Sequence, residues 1–141
     1  MAMFVTRKSE FSASHICRLP HLSDAENADL FGAEASPHGH GHNYILEVTV
    51  EGEPDPLTGM VIDLKKLKDI LEQHVVEPMD HRFLNAEVKP FDRIVPTAEN
   101  LARVIWMRLE PHLDTEAAAL SKVKLFETAE LYVEITRGSD D

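Results

Sequence analysis

Three histidines, His38, His40 and His42, take alternate positions in the stretch P-H-G-H-G-H-N-Y, separated by Gly39 and Gly41. In an extended segment, residues two apart project to the same side. His40 and His42 therefore present two imidazoles together at the start of a strand. His15 ends an earlier extended run, and if the two strands pair, its ring can meet the other two. Three neutral imidazoles with one open position describe a catalytic zinc site. Gly39 and Gly41 lack a Cβ, which leaves the metal uncrowded from the backbone side. His38 is assigned to solvent, because a fourth imidazole would close the site to substrate. Alone, H-x-H is a weak signal in a chain with 8 histidines, and a polar surface turn is the plain alternative.

Other residues carry weaker signals. The adjacent pair Asp80–His81 could relay protons, since an Asp orients an imidazole and raises its basicity near neutral pH. A helix-ending turn explains the pair equally well. Glu127 reads from its surroundings as a polar residue of a late hairpin, and Thr97 reads as a helix cap. Cys17 is the only cysteine, so no intrachain disulfide can form, which suits a reducing compartment. A small buried residue at a strand end is its ordinary fate.

The elements that position these groups follow from periodicity. Residues 3–15 alternate as a strand with Phe11, Ala13 and His15 on one face. Residues 16–39 show no sustained period and read as a long loop. Residues 42–51 alternate again, with Tyr44, Leu46, Val48 and Val50 facing one way. After a Pro- and Gly-rich turn, Asp63 can cap a helix whose stripe is Leu64, Leu67, Ile70, Leu71 and His74/Val75, ending before Pro78. A second helix is expected from Thr97, with Leu101, Val104, Ile105 and Leu109 buried. Residues 122–128 and 130–137 read as a final hairpin. The order strand-strand-helix-helix-strand-strand predicts an α+β domain over residues 1–141, with an antiparallel four-stranded sheet and two helices on one face.

Bulk properties exclude some functions. A chain of 141 residues with a formal net charge of −11 repels phosphate backbones, so no nucleic-acid partner is expected. No apolar run approaches the roughly 20 residues of a membrane span. With no basic-then-apolar leader at the N-terminus, a cytoplasmic location is expected.

Six ordered segments carry a family resemblance: F-S-A-S-H (11–15), H-G-H-N-Y (40–44), D-P-L-T-G-M-V-I-D-L (55–64), M-D-H-R-F-L-N (79–85), P-T-A-E-N-L-A (96–102) and K-L-F-E-T (124–128). Together they resemble the 6-pyruvoyl-tetrahydropterin synthase family, which includes the 6-carboxy-tetrahydropterin synthases. The resemblance implies a T-fold subunit, three of which close a barrel. Two such trimers would stack as a homohexamer, with active sites at subunit interfaces. It further implies 7,8-dihydroneopterin triphosphate as substrate and Zn2+ held by His15, His40 and His42. Glu127 would anchor the pterin ring, Thr97 would add a contact, and Asp80 and His81 would form a relay working with a cysteine.

That cysteine is missing. In pyruvoyl-forming members it stands at the position of Glu34, and in carboxy-forming members at that of Ser36. Glu34 is therefore expected to act as the base, with burial lifting its pKa towards neutrality. A glutamate there resembles a branch that cleaves the side chain to give 6-hydroxymethyl-7,8-dihydropterin, a folate precursor, and that product is the first expectation. The alternatives are 6-pyruvoyl- or 6-carboxy-tetrahydropterin formation with Glu34 or Cys17 replacing the thiol, or a pterin-binding protein without catalysis.

Overall fold

The computed structural model describes residues 1–138, so the last three positions of the expected 1–141 domain lie outside the described residues. The chain order is β1 (Met3–His15), α1 (Asp24–Phe31), β2 (His40–Gly52), α2 (Leu64–Leu71), α3 (Glu77–Met79), β3 (Arg82–Phe83), α4 (Leu84–Glu87), α5 (Ala98–Leu113), β4 (Ala118–Phe126) and β5 (Tyr132–Thr136). The strands form one sheet in the order β3-β1-β2-β4-β5. It has five strands where four were expected. It is also mixed rather than purely antiparallel, because β3 runs parallel to β1. Two residues are too few to show a period, which is why β3 escaped a reading based on alternation.

The core lies between the sheet and the two longer helices. Phe11, Tyr44, Leu46, Val48 and Val50 from β1 and β2 meet Leu120, Val123 and Leu125 from β4 on one face. Leu67, Leu71 and Val75 cover it from one side, and Leu101, Ile105 and Leu109 of α5 from the other. Both expected caps form: Asp63 accepts from Lys65 N–H at 2.9 Å, and Thr97 from Asn100 N–H at 3.2 Å. The first helix does not stop before Pro78. A wide π turn at Glu72–Val76 follows α2, and α3 begins beyond it with Pro78 in its opening positions. There the missing N–H breaks no hydrogen bond, so the helical path continues to Met79.

The expected long loop at 16–39 is partly helical. Ser23 caps α1 through a reciprocal box: its Oγ accepts from Glu26 N–H, and Glu26 Oε1 accepts from Ser23 N–H, both at 3.1 Å. Asn27 is the only buried residue of α1, so the helix has no apolar stripe. Only the S-x-x-E spacing would have revealed it. Fully buried, Asn27 organises the segment from within. Its Oδ1 accepts from Leu19 N–H at 2.7 Å, and its Nδ2 donates to the carbonyls of Leu19, Leu22 and Ser23 at 3.1–3.2 Å. A 3-10 turn, Gly32–Ala35, then brings Glu34 round. Its carbonyl accepts from Cys17 N–H at 2.8 Å, which ties the turn to the end of β1.

Asn27→Ala should strip these partners from the segment that carries Glu34. Leaving buried donors and acceptors unmet costs roughly 2–3 kcal/mol. Urea unfolding should show that loss, and a midpoint equal to wild type would refute this account of the loop.

Candidate active site

The antiparallel pairing of β1 with β2 sets His15 opposite His40 and Ala13 opposite His42. Cross-strand partners share a face, so all three imidazoles converge at one end of the core side of the sheet. His15 and His40 centroids are 4.6 Å apart, His40 and His42 4.8 Å, and His15 and His42 5.1 Å. Glu34 joins them from its turn. One ligand atom from each of His15, Glu34, His40 and His42 lies within 4.8 Å of the others. His38 is exposed and outside this group.

The tautomer of His15 follows from its partner. Its Nδ1 lies 2.7 Å from the carbonyl of Pro96, which can only accept, so Nδ1 carries the proton and Nε2 presents a lone pair. Nδ1–H to a main-chain carbonyl is the outer contact that orients a ligating imidazole. Burial holds the His15 imidazole below its ordinary value against the raising effect of that bond. Burial, followed by the charges of His15 and His40, lowers His42 as well. Both rings are thus the neutral form that a metal needs.

The donor set fits a transition-metal ion. Nitrogens on one tetrahedral zinc stand roughly 3.4 Å apart at the usual bond lengths, and His15 Nε2 and His40 Nε2 are separated by 3.1 Å. His42 Nε2 is buried with no hydrogen-bond partner among the described residues, a costly condition that a metal would remove. The glycines act otherwise than expected. Gly39 has φ +72°, in the left-handed region, and a Cβ on Gly41 would sit 3.3 Å from the Ala13 carbonyl. They permit the turn and the close strand approach rather than clearing space around a metal.

Glu127 lies just past β4 and is 5% exposed, with Oε1 3.4 Å from His42 Nε2. It also hydrogen-bonds Glu34. Burial, that bond and the Glu34 charge push the Glu127 carboxyl up to about 8. Glu34 moves the opposite way from expectation. Burial works to raise it, but hydrogen bonds from Glu127 and Cys17 and the charges of His15 and His40 hold it below its ordinary value. Of the two carboxyls, Glu127 keeps the shared proton and Glu34 is ionised.

Cys17 is fully buried, and burial followed by the Glu34 carboxylate pushes its thiol up to about 12. A thiol held that high is not a thiolate at neutral pH, so it supplies no substitute base. Thr97 caps α5 directly after the Pro96 carbonyl that orients His15. Asn85 also went unnoticed in the sequence. It clamps the main chain of Ile16 from both sides, accepting from its N–H and donating to its carbonyl at 2.9 Å each.

The chain does not bring Asp80 and His81 to the cluster. His81 N–H donates to the Ser12 carbonyl at 2.6 Å, Asp80 Oδ1 accepts from Ser12 N–H at 2.8 Å, and His81 Nδ1 lies 2.8 Å from Asp80 Oδ2. The Ser12 N–H bond, followed by the one from His81, holds Asp80 below the usual carboxylate range. His81 lines a cleft along the outer edge of β1 that Ser12, Ser14, Asn43 and also Ala13 and His42 border, and its side chain is 82% exposed.

The family model for 6-pyruvoyl tetrahydropterin synthase matches residues 4–138. The chain belongs to the 6-pyruvoyl tetrahydropterin synthase family. It is 48% identical to the 6-pyruvoyl tetrahydrobiopterin synthase of Pongo abelii and 47% to that of Homo sapiens, each over 88% of this chain and 84% of the relative. The solved Caenorhabditis elegans 6-pyruvoyl tetrahydropterin synthase superposes with a TM-score of 0.90 at 36% identity, covering 98% of this chain and 97% of that one. As a 6-pyruvoyl tetrahydropterin synthase family member, the chain is an enzyme of the lyase type. The first expectation of a hydroxymethyl product for folate synthesis is corrected by these matches. It rested on one residue, Glu34, whereas the relatives that share nearly half of all aligned residues are named for the pyruvoyl product. Among the described residues no helix is long and apolar enough to cross a membrane.

His40→Ala or His42→Ala should each reduce bound zinc to less than a tenth of wild type after dialysis, read by elemental analysis. Unchanged stoichiometry in either would remove that imidazole from the ligand set.

Proposed function

We propose that the protein holds Zn2+ through His15, His40 and His42 and converts 7,8-dihydroneopterin triphosphate to 6-pyruvoyl-tetrahydropterin with release of triphosphate. The observation that carries this reading is the convergence of three imidazoles with two unlike carboxyls, Glu34 and Glu127, in a chain so similar to named pyruvoyl-forming relatives. Forming a pyruvoyl side chain from this substrate requires protons to leave carbon and the C–O bond to triphosphate to break. Zinc, when bound, supplies Lewis acidity towards the side-chain hydroxyls.

The protein's own groups divide the remaining work. Glu34, ionised and beside the imidazoles, accepts the proton leaving the side chain. Its low pKa makes it available at neutral pH, although a weaker base than the lifted carboxyl first expected. Glu127 pairs with the ring's amino and N–H donors. Entry of that ring separates Glu127 from Glu34 and releases the Glu127 proton to solvent, because the ring's N–H and amino donors favour the ionised carboxylate. Thr97 contributes a further ring contact through a side chain already fixed by its cap.

Asp80 and His81 enter from a neighbouring subunit in this reading. Two open strand edges support such an assembly. β1 pairs with β3 only at Ala13 and Ser14 on its outer side, and β5 ends the sheet. Edges of this kind invite pairing between copies. Head-to-tail pairing that closes makes a ring, in keeping with trimers stacked as a homohexamer whose sites lie between subunits.

Zinc-loaded protein incubated with 7,8-dihydroneopterin triphosphate should yield the mass of 6-pyruvoyl-tetrahydropterin and one triphosphate per turnover. A 6-carboxy product would move the chain to the sister reaction, and no turnover by zinc-replete protein would overturn the reading. Glu34→Gln should lower kcat about 100-fold or more, the usual size of a general-base contribution, while zinc content and pterin affinity hold. Wild-type turnover in Glu34→Gln would dismiss Glu34 as the base.

A further inference from the structure

Three buried side-chain polar atoms lack a hydrogen-bond partner among the described residues: Arg7 Nε, His42 Nε2 and Tyr44 Oη. A metal accounts for the second. Tyr44 Oη has no part in the chemistry above, yet it belongs to the same face of the same strand. Tyr44 follows His42 by two positions on β2 and is fully buried. Its ring stacks on Phe11 at 5.0 Å and stands edge-on to His42 at 5.6 Å and to His15 at 6.4 Å. These contacts fix the ring and so fix where its hydroxyl lies.

Burial, followed by the nearby Glu127, Cys17 and Glu34, holds the phenol well above its ordinary value, so its O–H stays in place as a donor. Among these neighbours Cys17 is a protonated thiol and a weak acceptor. The two carboxyls are engaged with each other. Buried phenols ordinarily have a partner; here none lies within hydrogen-bond distance among the described residues, and the register that pairs Ile45 with Phe126 puts Tyr44 and Glu127, the next positions along, beside each other across the two strands.

We propose that Tyr44 is the positioning residue for Glu127: when a pterin ring draws Glu127 away from Glu34, the Tyr44 hydroxyl donates to the freed carboxylate oxygen and fixes its orientation. The inference rests on Glu127 being the ring anchor. A carboxylate offers about four lone-pair sites, enough for the ring's donors and the phenol together. Oxygen-to-oxygen bonds to an ionised carboxylate are among the stronger ones. Tyr44 thus acts through Glu127 and touches no reacting atom.

Tyr44→Phe keeps the ring stack and removes only the hydroxyl. The test measures binding of 6-methylpterin and of 6-methyllumazine to zinc-loaded protein. The lumazine carries a carbonyl where pterin has the 2-amino group, so preference for pterin reports the aim of Glu127. In Tyr44→Phe the pterin affinity should fall about tenfold to hundredfold, the size of one charge-assisted hydrogen bond. Lumazine binding should change little, so the preference narrows, and KM should rise more than kcat falls. Zinc content and thermal midpoint should match wild type, because the hydroxyl has no partner to lose in the empty protein.

Equal weakening of both ligands, or of neither, overturns the proposal. So does a lowered midpoint or lost zinc in Tyr44→Phe, which would mark the hydroxyl as structural. If wild type shows no preference for the pterin, the anchor role of Glu127 fails, and this proposal fails with it. A wild-type preference that Tyr44→Phe retains sinks only the role of Tyr44.

Discussion

The register between β1 and β2 is the constraint on which the site depends. With His15 opposite His40, three imidazoles share one face. A slip of one residue would send His40 and His42 to the other side and present Gly41 and Asn43 instead. The register is specified on both faces. On the core side Phe11 faces Tyr44 and Val5 faces Val50, all against helices. On the open side Thr6 and Thr49 hydroxyls meet at 2.7 Å, Ser12 Oγ donates to Asn43 at 2.6 Å, and Lys8 lies 3.7 Å from Glu47. Apolar pairing alone would tolerate a slip of two, since that preserves the face. The matched polar pairs remove that freedom.

With the strands in register, positioning passes outward through main-chain groups. The Pro96 carbonyl sets the His15 tautomer, and Pro96 is placed by the capped start of α5. Glu34 depends on its turn, and the turn is held by Cys17 N–H and, further back, by Asn27. None of these contacts calls for a charged residue. That suits a site already crowded with two carboxyls and three imidazoles, because another buried charge would shift every titration in it. The acidic surface and the neutral, lone-pair-bearing floor are therefore separate features of the chain. The surface sets solubility, and the floor sets what can bind.

What the sequence disclosed tracks the range of the interactions involved. Alternation and helical spacing located β1, β2, the α2 stripe and α5, because burial imposes a period along many residues. The imidazole group was legible because two of its rings sit on one strand and the third terminates its neighbour. The sequence could not disclose β3, a two-residue pairing, nor α1, whose only buried side chain is an asparagine. It also misjudged Glu34. A carboxyl at an interface was expected to rise, but the sign depends on Glu127, more than ninety positions away, and only the folded chain shows which of the two keeps the proton. Tyr44 was read correctly as a core residue, and that reading concealed its polar end.

His81 carries a different kind of information. It has φ +60°, a conformation that costs a non-glycine residue of order 1–3 kcal/mol. Its own main-chain bond to Ser12, the Asp80 bond to the same residue and the Asp80–His81 contact hold it there. That many bonds keep the strain in place on an exposed edge, between the buried Met79 and Leu84. The strained turn holds the imidazole outward from β1, with its Nδ1 committed to Asp80 and its Nε2 without a partner among the described residues. A group so presented is open to a partner at the outer edge of β1, which supports the proposal that the Asp80–His81 pair serves a neighbour's site.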